Sequence, residues 1–324
     1  MRAVVVQETG GPEVLEVQEL PSPDPGPGEL RVDVAVAGVN FIDVYYRTGT
    51  YPLPTPFIAG SEGAGLVGAI GTGVTGYQVG DHVAWAMLPG AGYAEQAIIP
   101  ADRAIPVPEG IDDETAGAVL LQGLTAHYLT RSTYSVRAGE TALVHAAAGG
   151  VGLLLTQVLT TLGVRVIATT STDDKAAIAR EAGAAEVIRY DKDDVATQVS
   201  RLTEARGVDV VYDGVGQATF DGSINSLRPR GMFVLYGAAS GPVAPVDPLL
   251  LASKGSLFFT RPTLAHYAAA REELLDRARE LFAWVASGEL TVRVGARYTL
   301  EQAQQAHRDL EGRLTTGKSL IIPG

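Results

Sequence analysis

The chain reads as an α/β protein built on a doubly wound parallel sheet, with a second, β-rich part ahead of it. Three observations carry that expectation. A turn of very small residues joins an apolar strand to an apolar helix, strands and helices alternate regularly after it, and the residues before it are dense in proline and glycine.

The turn is Val144-His145-Ala146-Ala147-Ala148-Gly149-Gly150-Val151-Gly152-Leu153. A buried strand over Thr141 to His145 stops in residues no larger than alanine, and a helix opens over Val151 to Leu162. Such a turn lets backbone approach a bulky anion, and the helix behind it offers unpaired N–H groups and the positive end of its dipole. The dinucleotide fingerprint asks for Gly-x-Gly-x-x-Gly; here it reads Ala147-x-Gly149-x-x-Gly152, one glycine short. A tight strand-to-helix turn of some other α/β protein is the plainer alternative. The alternation that follows argues against it. Strands are expected at Val164–Thr170, Glu186–Tyr190, Val208–Asp213, Gly231–Tyr236 and Ser256–Thr260, with helices near Asp173–Ala182, Val195–Glu204 and Ala218–Leu227 between them. That order predicts a parallel sheet with its ligand at the carboxyl ends of the strands.

The end of the second strand bears on cofactor choice. A site preferring NAD places a carboxylate there, about twenty residues after the glycines, to accept from the ribose 2′-hydroxyl. This chain has Thr169-Thr170-Ser171-Thr172, with no carboxylate before Asp173. Lys175 follows, and Tyr190 closes the neighbouring strand. Hydroxyls, an ammonium and a phenol suit a 2′-phosphate, which favours NADPH. A solvated helix lysine and a packing phenol are the alternatives for Lys175 and Tyr190.

Length and charge narrow the class further. At 324 residues the chain can bury two cores. Its formal net charge of −12 repels phosphate backbones, so neither nucleic acid nor anionic membrane is an expected partner. There is no cysteine, hence no disulfide, thiol nucleophile or thiolate metal site. Met1–Val6 reads as a strand rather than a signal peptide, and no apolar stretch is long enough to span a bilayer, so a cytoplasmic location is expected.

Residues 1 to about 120 carry short β runs such as Leu30–Ala37 and Ala64–Ile70. Pro21-Ser22-Pro23-Asp24-Pro25-Gly26-Pro27-Gly28 and Tyr51-Pro52-Leu53-Pro54-Thr55-Pro56 punctuate them, a texture of barrel or sandwich. After the last strand of the alternating region, a helix over Arg271–Ser287, a strand at Arg293–Tyr298, a helix over Leu300–Leu310 and a strand at Ser319–Ile322 remain. This tail is expected to return to the first part.

Taken together, the blocks Ala37-Gly38-Val39-Asn40-Phe41-Ile42-Asp43-Val44-Tyr45, Leu121-Gln122-Gly123-Leu124-Thr125-Ala126, His145 to Gly152, Asp213-Gly214-Val215-Gly216, Phe259-Thr260-Arg261-Pro262 and Gly317-Lys318 resemble the quinone oxidoreductases of the medium-chain dehydrogenase/reductase superfamily, the zeta-crystallin-like group, over essentially the whole chain. The resemblance implies a GroES-like catalytic domain formed by residues 1–122 and 262–324, a Rossmann NADPH-binding domain at 123–261, and an active site in the cleft between them. The zinc-dependent cousins have a cysteine ligand where this chain has Asn40, and Gly-His-Glu where it reads Gly60-Ser61-Glu62. The five histidines show no ligand spacing, so no metal is expected and alcohol oxidation through a Lewis acid is disfavoured.

Hydride transfer to a quinone or conjugated carbonyl needs little more than alignment and a hydrogen bond to the reduced oxygen. The resemblance implies that Asn40 and Tyr45 serve as catalytic and cofactor-contacting residues at the nicotinamide end. Asn40 would donate to the carboxamide or substrate oxygen, and Tyr45 to a developing oxyanion. A turn asparagine and a half-buried phenol are the alternatives, and Tyr46, Tyr51 and Tyr128 are rivals to Tyr45. Asp43 is expected to order its loop.

Further contacts are implied in the same way. Thr125 and Tyr128, at the start of a helix, would face the nicotinamide ribose or carboxamide. Gly149, Gly150 and Val151 would cradle the pyrophosphate, and Ser171, Lys175 and Tyr190 the 2′-phosphate. Gly214 and Val215 would approach a ribose, and Gly237 to Ser240, Phe259 and Arg261 would line the nicotinamide side. Arg313 would clamp the cofactor or stand as a surface cation. NADPH-dependent quinone reduction thus leads. Reduction of an enone or 2-enoyl thioester is a second reading, and a non-catalytic NADPH- or RNA-binding role of crystallin type a third. The apolar run Gly255–Thr260 reads as a sheet edge, and relatives pair there, so a homodimer is expected.

Overall fold

The computed structural model describes all 324 residues, which divide into two compact units. The first comprises Met1–Leu124, Ala268–Gly288 and Val292–Gly324, and the second Thr125–Tyr267 with Glu289–Thr291.

The first unit begins with β1 (Arg2–Val6), β2 (Leu15–Glu19), β3 (Glu29–Val39), α1 (Phe41–Arg47), β4 (Phe57–Ile58), β5 (Glu62–Ile70), β6 (His82–Ala86), β7 (Gln96–Pro100), β8 (Ile105–Pro106) and α2 (Asp113–Tyr128), whose residues from Thr125 on belong to the second unit. In the second unit β9 (Thr141–Val144), α3 (Gly150–Thr161), β10 (Arg165–Thr170), α4 (Asp173–Glu181), β11 (Glu186–Arg189), α5 (Val195–Leu202), β12 (Val208–Asp213), α6 (Phe220–Ser226), β13 (Leu227–Leu235), α7 (Pro248–Ser253), β14 (Phe258–Thr260) and α8 (Leu264–Tyr267) alternate. The tail adds α9 (Arg271–Ser287), β15 (Val294–Thr299), α10 (Ala303–Glu311) and β16 (Lys318–Ile322).

Strand order in the second unit is β11-β10-β9-β12-β13-β14, every pair parallel. The order reverses between β9 and β12, and such a switch point is where doubly wound sheets bind ligands. Leu143, Ile167, Ile188, Val211 and Phe233 fill the core beneath. Each such side chain contributes about 1.5–3 kcal/mol on burial.

In the first unit, β1 pairs with β2 and β4 in a small antiparallel sheet, while a larger one runs β15-β16-β3-β5-β6-β8 with β7 also on β3. The tail returns here, with Leu320 of β16 opposite Gly38 of β3. One core layer gathers Leu30, Val32, Val83, Trp85 and Ile99; another gathers Val4, Val39, Tyr93, Ala306 and Ile321.

The structure departs from sequence expectation in four places. The helix carrying Thr125 and Tyr128 starts at Asp113, where Asp112 Oδ1 accepts from Thr115 N at 2.7 Å, so both residues lie in its last turn and not at its start. β13 begins at Leu227 rather than Gly231, because Arg228–Gly231 bulges out of the ladder between the Val208/Leu227 and Val210/Met232 pairs and so tolerates Pro229. β14 is shorter than expected, since Gly255 (φ 110°) and Ser256 (φ 56°) are still left-handed. Leu300–Gln302 is a 3₁₀ turn ahead of α10, held by Thr299 N donating to Gln302 Oε1 at 3.0 Å.

Candidate functional site

At the switch point, β9 leads into Ala146 (φ 51°), Ala147 and Ala148, then Gly149 at the N-terminus of α3. No side chain caps this helix, so its first N–H groups are left for a ligand. Gly152 is required by close packing: a Cβ there would lie 2.4 Å from Ala146 O and 2.7 Å from Ala147 Cα, both backbone. Ala147 replaces the first glycine without strain, because the left-handed residue is Ala146.

The end of β12 faces this turn across the switch point. Gly237 packs backbone to backbone on Gly214, where a Cβ would meet Gly214 O at 2.4 Å. Ser240 Oγ donates to Val215 O at 2.8 Å and accepts from Ala218 N at 3.0 Å. Gly149, Gly150 and Val151 therefore belong to one strand-end region with Gly214, Val215, Gly237 and Ser240.

A buried polar network lies under both loops. Asp213 Oδ1 accepts from Val215 N (2.7 Å) and Gly216 N (3.0 Å), and its Oδ2 from Thr219 Oγ1 (2.7 Å) and Ser223 Oγ (2.8 Å). Ser223 Oγ also lies 3.0 Å from His145 Nε2, and His145 Nδ1 3.1 Å from Thr169 Oγ1. Burial pushes the His145 imidazole below its usual range, against the pull of the Asp213 charge. The network thus joins the ends of β9, β10 and β12 through a neutral histidine.

At the end of β10, Thr170 Oγ1 is buried without a hydrogen-bond partner. Ser171 and Lys175 are half-buried, and Lys175 N donates to Thr172 Oγ1 at 3.2 Å to cap α4. Tyr190 is exposed and follows β11, its N–H bonded to Thr170 O at 3.2 Å. These three residues do share one strand-end neighbourhood. Arg189, which the sequence reading does not name, sits among them as the last residue of β11. Elsewhere in this unit Tyr128 is buried and stacked on Tyr267 with centroids 4.5 Å apart, and burial pushes its phenol up against the opposing Arg261 charge. Phe259 meets Phe233 and Phe220 at centroid distances of 5.2 and 6.3 Å.

The first unit carries a buried ionic cluster. Lys318 Nζ donates to Asn40 Oδ1 at 2.9 Å and to Glu62 Oε2 at 2.5 Å, with Lys318 and Glu62 essentially inaccessible. Asn40 Nδ2 donates to Glu62 Oε2 at 2.8 Å and to Gly38 O at 3.3 Å, and Glu62 Oε1 accepts from Leu121 N at 2.6 Å. The ammonium only donates, which fixes Oδ1 toward Lys318. Both amide protons of Asn40 are then engaged, and its side chain also joins Asp43 in the capping box of α1. Asp43 accepts from Asn40 N (2.9 Å), Ser61 Oγ (2.6 Å) and Tyr93 Oη (3.2 Å). Burial nonetheless raises its carboxyl to about 6. Tyr93 Oη also lies 3.1 Å from His307 Nε2, whose Nδ1 faces Arg47 Nη1 at 3.1 Å. Burial and the Arg47 charge lower His307 to about 3. Arg47, itself buried, ends the chain in a bidentate pair with Glu311 at 2.9 Å.

Tyr45, on α1, is half-buried and lies 5.1 Å from the Tyr51 ring and 6.3 Å from Phe41. Tyr46 lies 6.1 Å from Tyr51, and burial raises its phenol. Arg313 is exposed in a left-handed turn (φ 58°) after α10. The sequence reading missed Lys318, Glu62, Asp213 and Arg189 as members of these constellations. Lys318 and Asp213 stood inside blocks quoted for the resemblance and Glu62 beside the departure at Ser61, so these three offered a signal; Arg189 offered none.

A GroES-like unit followed by a sheet of dinucleotide-binding order defines the alcohol-dehydrogenase architecture. Two family models agree: residues 26–109 match the alcohol dehydrogenase GroES-like domain and 150–284 the zinc-binding dehydrogenase domain. The chain is 47% identical over 315 residues to a quinone oxidoreductase of Pseudomonas aeruginosa, covering 97% of each. It is 39% identical over 328 residues to a 2-haloacrylate reductase of Burkholderia, covering 99% of this chain and 98% of that one. A mycobacterial structure solved in complex with NADPH superposes with a TM-score of 0.97 at 50% identity, covering both chains fully. The chain belongs to the quinone oxidoreductase family of the medium-chain dehydrogenase/reductases.

The donor set does not fit the zinc of the domain's name. Where the cousins place thiolate and imidazole, Asn40 and Ser61 are engaged with Glu62, Lys318 and Asp43, and an ammonium lies within bonding distance of both Asn40 and Glu62. No three His, Asp or Glu side chains converge on a common point.

Proposed function

We propose that this protein reduces quinones with NADPH. The uncapped N-terminus of α3 behind Gly149 carries the reading, supported by the unpartnered Thr170 hydroxyl and by full-length likeness to quinone oxidoreductases. NADPH, when bound, supplies the hydride. The N–H groups of Gly150 and Val151 suit its pyrophosphate, the Gly214–Val215 loop its ribose, and Ser171, Lys175 and Tyr190 its 2′-phosphate. Tyr45 offers a phenol proton to the reduced oxygen. Asn40, held by Glu62 and Lys318, remains a proposed contact at the nicotinamide end. Thr125, Tyr128, Gly237, Ser240, Phe259, Arg261 and Arg313 remain proposed contacts of the cofactor.

The reading includes a cytoplasmic homodimer. Edge strand β14, with Phe258 58% exposed, supports the pairing, which light scattering at micromolar concentration checks. The absence of cysteine is consistent with a reducing compartment.

Steady-state oxidation of NADPH and NADH by chelator-treated protein, with 1,4-benzoquinone and a polycyclic ortho-quinone, tests the function. NADPH-preferring, chelator-resistant turnover is expected. NADPH binding without quinone turnover, together with reduction of 2-haloacrylate or an enone, would favour the activated-alkene reading that the Burkholderia relative supports.

A further inference from the structure

The strand end proposed to receive the 2′-phosphate is not a basic patch. Asp173 and Asp174 open α4, and Asp191, Asp193 and Asp194 follow β11, so carboxylates outnumber Lys175, Arg189 and Lys192. A 2′-phosphate approaching such a group is repelled unless the nearest carboxylates are neutralised.

Arg189 has the geometry to neutralise them. As the last residue of β11 it lies opposite Thr170, the last of β10. Its Nε and Nη2 fork onto Asp191, each at 2.8 Å, and its Nη1 donates to Asp173 Oδ1. Lys192 Nζ lies 3.8 Å from the other Asp173 oxygen. The Arg189 side chain is only 15% exposed, so the fork is held in place, whereas Asp173 itself is 83% exposed. Arg189 holds the Asp173 carboxyl below the usual range, so it remains an anion throughout the neutral range.

Asp173 is the first carboxylate after the second strand, the type of group that in an NADH-preferring site accepts from the ribose hydroxyls. We propose that Arg189 is a specificity-determining residue that acts through Asp173: by pairing with that carboxylate it removes both a repulsion against the 2′-phosphate and a ribose acceptor that would favour NADH. The inference rests on the NADPH reading above. It assigns the preference to the Arg189–Asp173 pair in addition to the cations themselves.

A double-mutant cycle tests it, read by fluorescence titration of NADPH and NADH and by calorimetric titration of 2′,5′-ADP. Arg189→Met should shift the ratio of NADPH to NADH dissociation constants at least tenfold toward NADH and weaken 2′,5′-ADP by a similar factor. In Arg189→Met/Asp173→Asn most of that loss should be restored, because the exposed carboxylate is gone. Loss that persists in the double variant would mean that Arg189 acts on the phosphate directly or through Asp191, and no shift in the single variant would mean that it does neither. Either result overturns the proposal. Wild-type protein that binds NADH as well as NADPH would instead undo the cofactor reading itself, and this inference with it. Thermal unfolding midpoints show whether each variant is folded.

Discussion

The two units each bury a polar network, and they do so by opposite means. The first unit relies on charge pairs, an ammonium on Glu62 and a guanidinium on Glu311, linked by a neutral imidazole and by Asp43 among hydroxyls. In the second, a single carboxylate, Asp213, is surrounded by four neutral donors and relayed through a hydroxyl to a neutral histidine. A hydroxyl can turn from donor to acceptor when a partner changes, whereas an ammonium cannot. The ionic network should therefore be brittle and the hydroxyl network forgiving.

Removing one charge from the first network should have the largest effect. Lys318→Met leaves the Glu62 carboxyl buried without its ion-pair partner, a loss of about 3–5 kcal/mol. Glu62→Gln/Lys318→Met removes both charges at similar volume and should recover most of that loss. Urea unfolding measures both. Equal losses in the single and double variants would place the deficit in packing around Gly38, whose missing Cβ makes room for both side chains, and would erase the proposed contrast.

The same network should respond to acid in two opposed ways. His307, lowered to about 3, is neutral when folded; its contribution is present above pH 6.5 and is lost as pH falls toward 3. Asp43, raised to about 6, has the opposite sign: its contribution is present below the unfolded value near 3.8 and is lost as pH rises through 6. At about 1.4 kcal/mol per unit the two changes are similar between pH 6.5 and 4.5, roughly 2 kcal/mol each. Relative to wild type, His307→Gln should lose about 2 kcal/mol less over that interval, and Asp43→Asn about 2 kcal/mol more. Urea midpoints at the two pH values read the difference, and parallel slopes for the two variants would refute the opposition.

How far the sequence discloses these networks follows from how far apart their members lie along the chain. The Gly149–Gly152 turn, the β9-to-β14 alternation and the Ser171–Lys175 neighbourhood are local, so periodicity and turn chemistry reveal them. Asn40, Glu62 and Lys318 meet only because β16 returns to β3 across most of the chain, and no spacing encodes that. Asp213 was visible as the end of a strand, but its acceptance of four donors depends on how the following loop folds back. Arg189 was hidden differently, because a residue that acts by masking another carries no motif. The placement of Thr125 and Tyr128 at a helix start came with the resemblance, whereas the capping carboxylate of Asp112 sets the start of α2 well before them.

The smallest expected effect tests the forgiving side of the contrast. In Asp213→Asn the amide oxygen can keep Val215 N and Gly216 N, while the new NH2 faces Thr219 and Ser223. Both hydroxyls can turn to accept, and Ser223 can then donate to His145 Nε2, since burial keeps that ring neutral. What is lost is the charge assistance of the bonds to the two loop amides, which are roughly twice as strong to an ionised acceptor as to a neutral one. Asp213→Asn should therefore lose about 1 kcal/mol of stability and weaken NADPH binding only a few-fold, through a looser Val215–Gly216 loop. Asp213→Ala, which leaves the two buried N–H groups without an acceptor, should be distinctly worse in both. An asparagine variant as unstable as Lys318→Met would show that the second network depends on its charge as fully as the first.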